Sequence, residues 1–164
     1  LPFASTTPTA TALPNYDTDR NTVAGLTIQR NGTLATNNAA RIQRWAWTVP
    51  AGGITFPSSL RVRLWSAMDG FNTTRSGSVQ MQAYDCNATQ SSCIALSSAS
   101  TVTSAGSWSG GSSTFVAKDW SLGNLGTIAA GRVLQLRVVV LSASQSDMMF
   151  AYDTTAHPAD LTVP

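Results

Sequence analysis

The sequence predicts an all-β protein, a two-sheet antiparallel sandwich or jelly roll, and three observations carry that expectation. Apolar residues recur with period two over most of the 164-residue chain. Turn-forming clusters ("PAGG", "DGFNTT", "SWSGGSS", "AAGR") separate the alternating runs about every ten residues. No stretch of about a dozen residues has helical periodicity.

In chain order, "GLTIQR" and "RIQRWAWTV" give the first strand signals, with Trp45 and Trp47 on one strand face. In "SLRVRLWSA", Leu60, Val62 and Leu64 fall on one face, and Arg61, Arg63 and Trp65 on the other. "SVQMQAYDC" sets Val79, Met81 and Ala83 against Gln80, Gln82 and Tyr84. "IALSSAS" and "STFVAKDWSL" follow as weaker signals. "VLQLRVVVL" then sets Leu134, Leu136, Val138 and Val140 against Val133, Gln135, Arg137 and Val139. "MMFAYD" and "DLTV" complete about nine strands. The Leu/Val faces are expected to fill the core, and the arginine-bearing faces to point outward. Lys118, the sole lysine, lies in a strand and is expected to face water and discourage edge pairing.

Composition narrows the function. The chain holds eight Asp, no Glu, nine Arg and one Lys, for a net charge of +2. Such a small, scattered excess gives no basis for nucleic acid or an acidic membrane as partner. No apolar run approaches the roughly 18 residues of a membrane span. Cys86 and Cys93 flank "NATQSS", and a disulfide closing that short loop is the expected pairing, which implies export. By loop entropy it contributes about 2–3 kcal/mol at most. Sequons at Asn31, Asn72 and Asn87 are candidate glycosylation sites in a secreted chain. A chain that starts at Leu1 without a hydrophobic leader reads as processed or excised.

Two segments follow: an extended tail over 1–14, "LPFASTTPTATALP", and a sandwich domain over 15–164. Pro2, Pro8 and Pro14 all occupy even positions, so in an extended chain the missing N–H donors lie along one edge. Leu1, Phe3 and Leu13 share the odd face. A polyproline linker has no need of that apolar side, so the segment reads as a strand able to pair along one edge. Its centre, Ser5 to Thr11, carries no bulky apolar residue.

The residues "IAAGRVLQLRVVV", followed by "MMFAYDTTAHPADLTVP", resemble the closing strands of secreted jelly rolls of the galactose-binding-like type. The likeness covers residues 128–164 and implies the fold and an ancestral link to sugar binding; it carries no catalytic residue across.

Catalysis is not expected. The only histidine, His157, precedes Pro158 and is held extended, and no Ser stands in a Gly-x-Ser-x-Gly elbow. No cofactor is expected either. Calcium is the one candidate ion, through Asp17 and Asp19 with Asp153 and Asp160 approaching, but D-x-D alone falls short of a ligand set. For sugar contact, Trp108 in the Ser/Gly stretch "SAGSWSGGSS" is the leading candidate, ahead of Trp65, Trp45 and Trp47. The leading functional expectation is an extracellular, non-enzymatic subunit that polymerises with itself. In it Leu1, Phe3 and Leu13 dock on a neighbour's sheet, an arrangement that resembles donor-strand pilins. The alternative is a carbohydrate-binding or adhesive module whose partners are glycans, and a calcium-stabilised accessory domain comes third.

Overall fold

A computed structural model describes residues 26–68, 75–96, 100–108, 115–151, 157 and 160–162, with backbone alone for 26, 75, 100–108 and 160–162. Ten strands are described: β1 (Leu26–Ile28), β2 (Ile42–Thr48), β3 (Ile54–Met68), β4 (Arg75–Cys86), β5 (Cys93–Ala95), β6 (Ser100–Trp108), β7 (Val116–Ile128), β8 (Val133–Val140), β9 (Met148–Ala151) and β10 (Asp160–Thr162). No helix occurs among the described residues, and all pairings are antiparallel. The all-β sandwich read from the sequence is the fold observed.

The first sheet is organised on β3. One edge of β3 pairs with β7; the other pairs with β10 over Arg61–Arg63 and with β9 over Trp65–Met68, and β1 lies beyond β9. In the second sheet β2 pairs with β8 and β8 with β4, whose far edge is shared by β6 and β5. Between the sheets, Leu60, Val62, Leu64, Trp120, Leu122 and Phe150 meet Trp45, Val79, Met81, Leu134, Leu136 and Val138 in one core. Trp120 also ties the sheets by a hydrogen bond, its indole Nε1 donating to the Val79 carbonyl at 3.2 Å.

Pro57 cannot donate to a ladder, and the β3–β7 register slips on either side of Ser59. Opposite Phe56 stands Gly126, at φ 69°, a left-handed conformation that a side chain resists. The regular ladder therefore runs from Arg61↔Ser121 to Ser66↔Val116. Among the described residues β7 is hydrogen-bonded to β3 alone, on one edge.

Two sequence expectations need correction. Lys118 does not simply face water: it sits opposite Leu64, on the face that Trp120 presents to the core, and is half-buried. That burial lowers its pKa from the ordinary value. An inward-pointing charge on an edge strand still limits indiscriminate pairing, by a different geometry. The outward face of β8 is only partly solvent-facing: Gln135 is 2% exposed and Val139 0%, because neighbouring loops fold over it, while Arg137 is half-buried.

On the outer face of the first sheet, Arg63 lies opposite Asp119 and forms a two-pronged ion pair, Nε to Oδ1 at 2.8 Å and Nη2 to Oδ2 at 2.9 Å. Hydrogen bonding from Arg63 holds the Asp119 carboxyl below its ordinary value of 3.8, against a smaller opposing effect of burial. A depressed folded-state pKa means that the stabilisation is present above 3.8 and is lost as pH falls through the lower folded-state value. Asp119→Asn is expected to cost no more than about 1 kcal/mol at neutral pH, since the pair is partly exposed. The gap in melting temperature between variant and parent should close as the pH is taken below that window in thermal melts.

Candidate functional site

A polar concavity lies on the outer face of the second sheet. It has a volume of about 400 Å³ and is lined by Asn37, Arg44, Thr89, Gln90, Ser91, Cys93, Gln135 and Arg137. That size lies within the range of small-ligand clefts.

Strand alternation builds its floor. Since Trp45 and Leu136 point into the core, their neighbours Arg44 and Arg137 point outward, and the register places these two arginines directly opposite each other. Next to them, Gln135 pairs across to Tyr84, and Gln82 to Arg137. The Arg137 guanidinium carbon lies 3.9 Å from the Tyr84 ring centroid, a cation–π contact. Arg137 Nε donates to Gln135 Oε1 at 2.7 Å, and Nη1 to the Leu34 carbonyl at 3.1 Å. Tyr84 in turn donates to Gln82 Oε1 at 2.6 Å.

One wall is the segment between β1 and β2. Gly32 lets it lie close: its N–H donates to the Val140 carbonyl at 2.9 Å, and a Cβ there would stand 2.4 Å from the Arg41 carbonyl oxygen. From this wall the Thr36 carbonyl accepts from Arg44 Nη2 at 2.7 Å, and Asn37 Oδ1 accepts from the same nitrogen at 3.4 Å. Burial first, then the neighbouring Arg137 charge, lower the Arg44 pKa from its ordinary value, while Tyr84 acts in the opposite sense.

The other wall is the β4–β5 hairpin. Cys86 and Cys93 are register partners and form the expected disulfide, so the loop between them closes in a fixed position. Asn87 organises that loop: its Oδ1 accepts from the N–H groups of Ser91 (2.9 Å) and Ser92 (3.2 Å), and its Nδ2 donates to Ser91 Oγ at 3.0 Å. Gln90 is held at φ 56°, uncommon for a non-glycine residue, and accepts at Oε1 from Gln135 Nε2 at 2.8 Å. Beneath the loop, Ala46, Cys86 and Val133 form a small satellite core, with Tyr84 and Cys93 packed against it.

The residues singled out from the sequence are dispersed. Trp45 is fully buried in the main core and presents no sugar-stacking face, while Trp47 is partly buried and packs against that core. Trp65 packs on the outer face of the first sheet with Ala67, Phe115, Met149 and Ala151. His157 lies against this patch, its ring 5.0 Å from Trp65 and 5.1 Å from Phe115. Trp108 ends β6, its backbone paired with Arg75, so the Ser/Gly stretch before it is strand and not loop; its side chain lies outside the described residues. Asn31 is exposed in a turn at φ 67°. Asn87 is engaged within its loop. Leu1, Phe3, Leu13, Asp17, Asp19, Asn72 and Asp153, and the side chain of Asp160, lie outside the described residues.

Among the described residues, no cluster of His, Cys, Asp or Glu is grouped to hold a metal, and no helix is long and apolar enough to cross a membrane. Sequence reasoning passed over Arg44, Arg137, Gln90 and Gln135. The available signal was a charged or amide residue set amid apolar neighbours in both "RIQRWAWTV" and "VLQLRVVVL". The chain matches no protein-family model and no curated protein.

Proposed function

We propose that the protein is an exported, non-enzymatic structural subunit that polymerises with itself. Residues 1–14 of one copy add as a strand to the edge of β7 away from β3 in the next. The observation that carries this reading is the long strand β7, 13 residues paired on one side only among the described residues, in a sandwich whose core is already filled. Edge addition of this kind draws its affinity from backbone hydrogen bonds and does not need deep pockets. That suits the odd composition of the segment. Its even-numbered prolines leave one edge able to pair, and its small Ser/Thr/Ala centre leaves room beside Lys118 on the regular stretch Val116–Ser121. Leu1, Phe3 and Leu13 then anchor the two ends. A head-to-tail contact that does not close on itself gives a filament, not a ring.

Deleting residues 1–14 is expected to leave a soluble monomer by light scattering and to abolish fibres in negative stain. A synthetic peptide of that sequence, added to the truncated protein, should protect β7 amides from hydrogen exchange. Unchanged assembly of the truncated protein, or protection elsewhere than β7, overturns the reading.

The arginine-lined cavity favours a second reading, a carbohydrate-binding or adhesive role. Its lining is mostly polar, and its position on a sheet face flanked by two loops leaves it open to a ligand. The two roles are compatible, because the cavity and β7 belong to different sheets.

A further inference from the structure

We propose that this cavity binds a small hydroxylated carboxylate, of the class of a uronic acid unit in a polysaccharide, with Arg44 and Arg137 clamping the carboxylate. Placing two arginines directly opposite each other on one sheet face costs energy unless an anion compensates them. None of the residues lining the cavity is acidic. The carboxylate side chains among the described residues are committed elsewhere: Asp85 to Arg132 at 2.7 Å, Asp119 to Arg63 on the other sheet, and Asp147 to the Arg30 amide at 2.8 Å.

The guanidinium groups are also oriented without being used up. Among the described residues, Arg44 meets protein acceptors only through Nη2, and Arg137 only through Nε and Nη1. Arg44 Nε and Nη1 lie on opposite sides of its guanidinium, so they and Arg137 Nη2 are each left to donate singly to a carboxylate oxygen. Backbone carbonyls of Leu34 and Thr36 hold the two side chains in place, so little side-chain entropy remains to be lost on binding.

The rest of the lining sets the ligand class. Asn37, Thr89, Gln90, Ser91 and Gln135 supply hydroxyl and amide groups suited to a ring of hydroxyls. Among the described residues no aromatic ring lines the cavity, and the neighbouring Tyr84 already has Arg137 over its face, so these residues give a neutral sugar no stacking platform. Recognition therefore rests on charge and hydrogen bonds. Gln90, held in the left-handed region with its amide on Gln135, is a strained residue at a binding surface, where such strain tends to be kept.

The test is calorimetric or NMR titration of the intact protein with sodium galacturonate and its short oligomers, alongside galactose as the neutral analogue and sodium sulfate as a bare anion. Galacturonate is expected to bind saturably, at least about tenfold tighter than galactose or sulfate. Arg44→Gln should weaken galacturonate at least about tenfold while leaving the melting temperature close to that of the parent. Arg137→Gln should do the same, but it also releases the Leu34 carbonyl and the Tyr84 ring, so Arg44→Gln carries the decision. The proposal is overturned by equal binding of galactose, by sulfate binding as tightly as the uronate, by unchanged affinity in Arg44→Gln, or by no binding of any uronate.

Discussion

Trp120→Ala is expected to remove about 3–5 kcal/mol of stability, a large share of the roughly 5–15 kcal/mol of a typical domain. The side chain is fully buried at the centre of the core, between β3 in its own sheet and β4 in the other. Truncation leaves a cavity that the two sheets cannot close, because their spacing is fixed by the Leu and Val side chains on every side. It also removes the hydrogen bond from Nε1 to the Val79 carbonyl, which joins the sheets. Trp120→Phe separates the two effects: it keeps most of the ring volume and loses the donor, and should cost about 1–2 kcal/mol. Urea denaturation of both variants checks this, and a loss under about 1 kcal/mol for the alanine variant contradicts the assigned packing.

Removing the disulfide is the second large effect and bears on the site itself. Cys86→Ala with Cys93→Ala is expected to cost about 2–3 kcal/mol through the freed loop of the unfolded chain. The bridge also sets the hairpin from which Thr89, Gln90 and Ser91 line the cavity. Loss of stability and loss of uronate affinity should therefore appear together. Melting curves with and without reductant give the first quantity for the parent, and titration of the double variant gives the second. A variant that keeps full affinity places the loop's order in Asn87 and its hydrogen bonds to Ser91 and Ser92, not in the bridge.

Much of the fold was legible because period-two alternation states which side chains share a face. Leu60, Val62 and Leu64 were read as core and are fully buried. Alternation does not state whether a second layer will cover the opposite face. Gln135 and Arg137 looked like a solvent face from "LQLRVVV" alone, yet the 29–41 segment and the 87–92 loop fold over them from distant parts of the sequence. The cavity was illegible for the same reason: Arg44 and Arg137 become neighbours only when β2 pairs with β8. Trp108 shows a different failure. Ser and Gly lower intrinsic strand preference, but pairing with β4 outweighs it and carries β6 through to Trp108. The disulfide was legible because seven residues of separation and a hairpin-like sequence leave the two sulfurs little choice.

The three partners of β3 have a consequence for how the chain reaches its native state. β7, β9 and β10 all lie far downstream. Until β7 is available both edges of this central strand have their hydrogen-bonding groups unmet, and the edge that takes β9 and β10 waits longer still. Such distant pairings fold on the order of milliseconds to seconds, not microseconds. During that interval β3 is itself an exposed edge, able to pair with the wrong strand or with another molecule. Arg61 and Arg63, interleaved with Leu60, Val62 and Leu64, put charge along that waiting strand. They serve the unfinished molecule as well as the finished one.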